Sequence, residues 1–302
     1  MSRVVQFPVF GPPSVLEIVE VDPPAPGPGK VRVAMRAAGI NPADYKVRRG
    51  LSMGSKPTAL PGRLGREIAG VVESLGEGVT GFEIGDEVFG IVASVGLADL
   101  VVTNPANLAR RPAALPWETA GALPLVGLTA WDAVASQHLT DSDVVLVSAA
   151  AGGVGTVVAQ LALRAGSVVI GTASEANHEH LRGLGVIPVS YGPGLADRVR
   201  QAAPRPVTVV FDHHGVETIE AALELGVDRS RINTTATDPS PYGVQNVGRG
   251  AIAPATFDAL AALVIAGELE FPIAGSYPLA DVVAAFERLE EGHVRGKLVI
   301  VP

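Results

Sequence analysis

Residues 144–155, VVLVSAAAGGVG, constrain this chain more than any other stretch. A β-branched apolar run ends at Ser148 and gives way to a glycine-rich turn, Ala150-Ala151-Gly152-Gly153-Val154-Gly155. Residues 156–165 then carry a helical pattern with apolar residues on one face. Strand, glycine turn and helix in that order present backbone N–H groups and the positive end of a helix to a pyrophosphate. Ala150, Gly152, Gly153, Val154 and Gly155 are therefore the candidate phosphate-side residues, with Ala150 standing where the usual pattern has its first glycine. A glycine turn alone also serves ordinary strand-to-helix packing. Two further spacings support the ligand reading. A second β-branched run, residues 167–172, falls where a βαβ unit needs it, and Ser174 lies roughly 20 residues past the turn, where a ribose-reading residue is expected.

The chain has 302 residues, 47% of them hydrophobic and 18% charged, enough for one large or two ordinary domains with a sizeable core. A net charge of -8 argues against nucleic acid as the main partner, which normally needs a basic face. There is no cysteine, which excludes disulfides, thiolate metal sites and thiol nucleophiles. No stretch offers the ~20 unbroken apolar residues of a membrane span, and the N-terminal residues lack the apolar region of a signal peptide. The expectation is a cytoplasmic protein with no membrane partner.

Residues 1–116 read as a β-rich unit of short runs broken by glycine and proline: 4–7, 16–21, 31–37, 68–75 and 86–91. Such a many-turned unit suggests a small barrel. Residues 117–262 change character, with helices alternating with runs at 144–148, 167–172, 187–190, 207–211 and 231–236. That alternation predicts an α/β doubly wound parallel sheet of Rossmann type. Residues 263–302 are expected to return to the first domain, with helices at 257–266 and 280–291 and strands at 271–277 and 297–301.

The chain resembles the zinc-free quinone oxidoreductase (zeta-crystallin-like) branch of the medium-chain dehydrogenase/reductase superfamily. The landmarks are Ala38-Gly39-Ile40-Asn41-Pro42-Ala43-Asp44, Gly65-Arg66-Glu67-Ile68-Ala69-Gly70, Gly85-Asp86-Glu87-Val88-Phe89-Gly90, residues 123–131, the glycine turn, and Gly292-His293-Val294-Arg295-Gly296-Lys297. The resemblance implies a GroES-like β-barrel plus a Rossmann domain, with the substrate between them. It also implies a homodimer through the Rossmann sheet, for which residues 242–247 are the candidate edge strand. Zinc is argued out by the residues: the chain has no cysteine, and Arg66 stands where the superfamily's zinc-binding histidine is expected. Without a Lewis acid, alcohol dehydrogenation is the less favoured chemistry.

NAD sites usually end the second strand with a carboxylate on the ribose hydroxyls. Here the residue is the neutral Ser174, with Asn177 and Arg182 following as possible phosphate donors and Glu175 as the counter-signal. The expectation is NADPH, and the resemblance implies the same. It further implies metal-free hydride transfer to a small-molecule electrophilic acceptor, either a quinone or the C=C bond of an α,β-unsaturated carbonyl. Asn41 and Lys46 are the catalytic candidates, Asn41 as an amide donor near the nicotinamide and Lys46 as a stabiliser of the developing enolate. A turn asparagine and a solvated lysine are their structural alternatives. Thr129 resembles a threonine beside the nicotinamide, and Tyr191 a tyrosine bordering the adenosine phosphate. His213 and Thr234 sit near the ends of later parallel strands, where such sheets bind ligands. The family usually has a small residue at the place of His213.

Two other readings compete. One is a cofactor-binding protein of the same fold with little or no catalysis. The other is a hydrolase, because Gly50-Leu51-Ser52-Met53-Gly54 matches Gly-x-Ser-x-Gly by letters. That elbow needs a buried strand before it, and the charged stretch Lys46-Val47-Arg48-Arg49 stands there instead. Residues 51–61 and 94–97 are expected to shape the acceptor pocket.

Overall fold

The computed structural model describes residues 1–51 and 58–302. They divide into two compact units, Met1–Leu125 with Ile252–Glu268 and Pro272–Pro302, and Val126–Ala251 with Leu269–Phe271. The division falls at 125/126 and 251/252, with Leu269–Phe271 also in the second unit. The reason lies in the helices. The first turns of the long helix Trp117–Ala135 pack in the first unit, where a Cβ on Gly121 would stand 2.7 Å from the Ala37 carbonyl carbon. Helix Pro254–Ile265 belongs there too, with Phe257 6.0 Å from the ring of Phe89.

In the first unit, β1 (Ser2–Phe7), β2 (Glu17–Val21) and β4 (Gly62–Arg63) form a three-stranded sheet in the order β2-β1-β4. A larger sheet runs β14-β15-β3-β5-β6-β8, with β7 also on β3. Its strands are β3 (Val31–Ile40), β5 (Glu67–Leu75), β6 (Glu87–Ile91), β7 (Leu100–Thr103), β8 (Leu108–Arg110), β14 (Ile273–Pro278) and β15 (Lys297–Val301). Strand β15 pairs antiparallel with β3 through Leu298–Ile40, Val299–Gly39 and Ile300–Ala38, so the end of the chain is a structural part of this unit. The alternating apolar residues of β1, β3 and β5 meet in one core with Leu279, Val282 and Phe286. Burying each such Val, Leu or Phe side chain stabilises by about 1.5–3 kcal/mol.

Helix α1 (Pro42–Arg48) follows β3 directly. Pro42 opens it, where a missing N–H costs no helical bond. It is held by Arg48, which is fully buried, lies 5.5 Å from the ring of Phe286 and pairs with Glu290 of the C-terminal helix Val282–Glu290. A helix, not a strand, therefore precedes Gly50, which removes the geometry a hydrolase elbow needs. Residues 52–57, which include the serine of that match and much of the expected acceptor loop, lie outside the described residues.

In the second unit, five parallel strands run in the order β11-β10-β9-β12-β13. They are β9 (Val144–Val147), β10 (Val168–Thr172), β11 (Ile187–Val189), β12 (Val209–Asp212) and β13 (Ile232–Thr234). Every residue of β9 and β12 is buried, as expected of parallel strands covered on both faces. The strand order reverses between β9 and β12, and ligands of such sheets bind outside the strand ends at that switch point. The expected edge strand at 242–247 does not form. Residues Ser240–Tyr242 are a 3-10 turn, Gly243 is left-handed, and only Gln245 bridges to Asn233 of β13. The Asn233 side chain fills the next places, accepting from Val247 N–H (2.8 Å) and donating to its carbonyl (3.0 Å). Among the described residues no helix is long and apolar enough to cross a membrane.

Candidate functional site

The glycine turn closes the C-terminal end of β9. Ala149 takes a left-handed backbone (φ 48°), an uncommon state for alanine that costs about 1–2 kcal/mol. Thus the strained position is Ala149, while Ala150 is buried with its N–H on Thr172 of β10 (2.9 Å). The carbonyl of Ala149 accepts from Gly152 N–H (2.8 Å). Helix α3 (Gly153–Arg164) begins there with Gly152 as its N-cap. The first N–H groups of a helix, here Gly153, Val154 and Gly155, have no partner within it. A Cβ on Gly155 would overlap the Ala149 carbonyl and stand 2.8 Å from its carbon, so only glycine lets α3 approach the turn this closely.

Asp212, at the end of β12, organises the same edge. Its carboxylate is fully buried and accepts five hydrogen bonds. Oδ1 takes Ser148 Oγ, His214 N–H and Gly215 N–H, each at 2.9 Å. Oδ2 takes Thr234 Oγ1 (2.7 Å) and, at longer range, Thr237 Oγ1 (3.4 Å). One side chain thus ties together the loops that leave β9, β12 and β13. Thr234 is turned inward to this carboxylate and also accepts from Ala236 and Thr237 N–H. Its hydroxyl orders the loop.

His213 is fixed beside it. Its backbone N–H donates to Ser148 Oγ (2.7 Å), and its Nδ1 lies 2.8 Å from Thr235 Oγ1. Its Nε2 is enclosed and has no hydrogen-bond partner among the described residues, a rare state for a buried polar atom. Burial pushes the imidazole down to about 4 against the pull of Asp212, so the ring is neutral at pH 7. Just past β10, Ser174 and Asn177 are brought together, with Asn177 Nδ2 donating to Ser174 Oγ (3.3 Å). Tyr191 follows β11, and its ring lies 5.9 Å from that of His214. Thr129 is half-buried in the helix Trp117–Ala135.

The first unit holds a separate buried polar cluster at the junction of β3 and α1. Lys297 Nζ donates to Asn41 Oδ1 (2.5 Å), Glu67 Oε1 (2.9 Å) and the Ile40 carbonyl (2.9 Å). Asn41 Nδ2 donates to Glu67 Oε1 (2.9 Å) and approaches the Gly39 carbonyl at 3.5 Å. Glu67 Oε2 accepts from Leu125 N–H (2.7 Å). Asp44 receives Asn41 N–H (2.9 Å) and Gly65 N–H (3.1 Å). Burial pushes the Asp44 carboxyl up, against the lowering effect of Gly65 N–H and of Arg66. Lys46, two residues after Asp44 on α1, is half-buried, and its ammonium makes no hydrogen bond or ion pair among the described residues. Neighbouring Tyr45 packs against the core and under Arg49, 5.8 Å from its ring.

Glu67, Lys297, Asp212, Ser148 and His214 were not singled out as site residues from sequence. A signal exists for two of them. Glu67 and Asp212 are carboxylates embedded in apolar runs, EIAGVV and VVFD, where an ionisable group is almost never buried without dedicated partners.

Comparisons with known proteins agree with this architecture. Residues 27–123 match the alcohol dehydrogenase GroES-like domain, and residues 129–300 match the zinc-binding dehydrogenase family. The quinone oxidoreductase of Pseudomonas aeruginosa is 30% identical over 329 aligned positions that span all of both chains. Among solved structures, the Escherichia coli quinone oxidoreductase complexed with NADPH superposes with a TM-score of 0.88 at 27% identity, covering 100% of each chain. CurK enoyl reductase shares the fold, with a TM-score of 0.86 at 24% identity over 99% of each chain. The two units described above are accordingly a GroES-like barrel and a Rossmann sheet.

Proposed function

The chain belongs to the quinone oxidoreductase-like branch of the medium-chain dehydrogenase/reductase superfamily, and on that premise we propose that it is a metal-free, NADPH-dependent reductase of quinones or of the C=C bond of α,β-unsaturated carbonyls. The observation that carries this reading is the glycine turn at the switch point, where Gly155 lets the start of α3, with its N–H groups unpartnered within the helix, pack directly against the end of β9. The enclosed, unpartnered Nε2 of His213 on the same sheet edge fits a polar ligand there. When bound, NADPH supplies the hydride. The protein's part is to bind, align and stabilise the charge that develops on the acceptor oxygen.

Lys46 is assigned to that charge, because its ammonium is committed to nothing else among the described residues. Asn41 is assigned through its second amide hydrogen. One N–H is held by Glu67 at 2.9 Å, while the other reaches only a 3.5 Å contact with Gly39, so it is the one left to donate to an acceptor. Lys297 and Glu67 fix which way the amide faces. The metal-free reading is supported by donor chemistry: there is no cysteine, Arg66 replaces the expected histidine, and the described residues contain no group of three His, Asp or Glu able to hold a metal. The neutral Ser174–Asn177 pair supports NADPH over NADH, since a carboxylate there would repel the extra phosphate. Homodimerisation along the β13 side of the sheet belongs to the same proposal, and light scattering would read it directly.

The deciding experiment follows NADPH oxidation against a matched panel of 1,4-quinones and enones, with product identification. Turnover with a kcat/KM for NADPH well above that for NADH is expected; comparable values would remove the cofactor preference. Lys46→Ala should lower enone turnover by about 10- to 100-fold, on the scale of losing one oxyanion donor. Unchanged turnover would remove Lys46 from the mechanism. Tight NADPH binding with no turnover across the panel would instead establish the non-catalytic reading.

A further inference from the structure

We propose that Arg66 recognises a carboxylate on the acceptor, so that this site takes anionic enones or quinones, an inference that rests on the reductase reading above. Charge collects around it. Residues 41–66 hold six basic side chains and one acidic, Asp44, in a chain whose net charge is -8. Arg48 and Arg49 are both paired with Glu290. Arg66 is half-buried, and its guanidinium makes no hydrogen bond or ion pair among the described residues. Its nitrogens are not enclosed, so its five N–H donors stay open to a ligand.

The backbone that carries Arg66 is held on both sides. Gly65 N–H donates to Asp44 Oδ1 (3.1 Å), and Glu67 Oε1 accepts from Asn41 Nδ2 (2.9 Å), so both chain neighbours are tied to the turn that opens α1. The Arg66 carbonyl accepts from Val92 N–H (2.8 Å), and the Gly65 carbonyl from Gly96 N–H (3.0 Å). Gly65 has a φ of 91°, and a Cβ there would stand 2.6 Å from Leu97 N, so only glycine lets this backbone lie against residues 96 and 97. Arg66 therefore stands between α1, with Lys46 and the Asn41 amide, and the segment 94–97 expected to shape the acceptor pocket. The acids beside it are engaged elsewhere. Asp44 is near enough for Arg66 to lower its carboxyl, yet it is buried and both its oxygens take backbone N–H groups. Glu67 is shared by Lys297, Asn41 and Leu125. Lys46 and Arg66 repel each other as water leaves the site, and an acceptor carboxylate offsets that repulsion. A guanidinium fork takes both oxygens of a carboxylate, which a single ketone or quinone oxygen cannot supply. The carboxylate itself does not react. The hydride supplied by NADPH bonds to the β-carbon, the C=C electron pair moves to the carbonyl oxygen, and a proton from water completes the α-carbon.

The test compares a β-acylacrylate with its primary amide, which keeps the enone and its shape but carries no charge, in the full chain and in Arg66→Gln and Arg66→Lys. Within each protein the ratio of kcat/KM for the two acceptors cancels any loss common to both, and comparing that ratio between proteins cancels their intrinsic reactivity. The ratio of acid to amide should fall by about 10- to 100-fold in Arg66→Gln, the scale of a hydrogen bond to a charged group, and chiefly through KM. Arg66→Lys should recover part of it, since it keeps the charge without the fork. Calorimetry with the saturated γ-keto acid, which has no C=C bond to reduce, should show its Kd raised by a similar factor in Arg66→Gln. An unchanged ratio overturns the proposal, whether both rates hold or both fall, because a structural residue or a general oxyanion donor serves the two acceptors alike. Turnover of neither acceptor, with the keto acid still bound through Arg66, would sink the reductase reading and keep the carboxylate site. A keto acid that does not bind, or that binds Arg66→Gln as tightly as wild type, sinks the carboxylate site whatever the turnover.

Discussion

Glu67 and Asp212 are both carboxylates with no exposed surface, each at an end of a strand, and the two units neutralise them by opposite means. Glu67 has a cation, Lys297, brought from 230 residues away along the chain, with Asn41 and one backbone N–H completing its shell. Among the described residues, Asp212 has no cation in hydrogen-bond contact. Three hydroxyls and two backbone N–H groups, all from loops at the same sheet edge, share its charge. The ion pair fastens the C-terminal strand to the start of α1 and is all-or-none. The hydroxyl shell is divisible, and its partners can each rotate. A site that must hold one amide still is built on the first kind of contact, and an edge that must shape several loops around a ligand is built on the second.

The contrast predicts its largest effect at Lys297. Lys297→Met leaves Glu67 buried without its cation, and should cost about 3–5 kcal/mol of unfolding free energy in urea titrations. Adding Glu67→Gln to that variant should recover a good part of the loss, because the stranded charge is then gone. A double variant no more stable than Lys297→Met would mean that packing, not charge, holds β15 to α1.

Acid exposes the second unit. His213 sits at about 4 in the folded protein and near 6.5 in the unfolded chain, so between those values the unfolded chain binds more protons. Stability must then fall as pH drops from about 6.5 to 4, by no more than about 3 kcal/mol from this residue. His213→Gln should flatten the curve over that window. Asp44 titrates in the other sense, since burial raises its carboxyl, but it is common to both proteins and cancels in their difference. Identical pH–stability curves for the two would show that the His213 ring is solvated and not enclosed.

The sequence was most legible where one periodicity served one purpose. The all-buried runs at Val144–Val147 and Val209–Asp212, and the glycine turn between strand and helix, could be read as a parallel sheet with an anion-binding end because each is local. Even there the strained residue was Ala149, not the Ala150 that stands in the motif, since left-handed backbone leaves no mark on an alanine's letter. The cluster around Asn41 was not legible. Its partners come from β5 and β15, and no spacing along a chain announces that residues 41, 67 and 297 share one set of hydrogen bonds. Residues 242–247 failed for a different reason. The resemblance implied an edge strand there, but Gly243 takes a left-handed backbone and the Asn233 side chain takes over the pairing.

The smallest effect is expected at Asp212, and it is the one that bears most directly on the comparison. Asp212→Asn keeps the shape and one acceptor oxygen. With that oxygen toward Ser148, His214 and Gly215, the new amide faces Thr234 and Thr237, whose hydroxyls can turn to accept. The turn is not free, because Thr234 already accepts from two backbone N–H groups, and a hydroxyl that receives a third loses its own acceptor. A loss of about 1–3 kcal/mol follows, the range for a weakened hydrogen bond to a charged group. It should be smaller than that of Lys297→Met, and it should come with a raised Kd for NADPH, because the loops bearing His213 and His214 lose their common anchor. Equal destabilisation by the two variants would erase the distinction between a divisible shell and an indivisible pair. A stable Asp212→Asn protein with unaltered NADPH affinity would keep that distinction and remove Asp212 from the ordering of the cofactor edge.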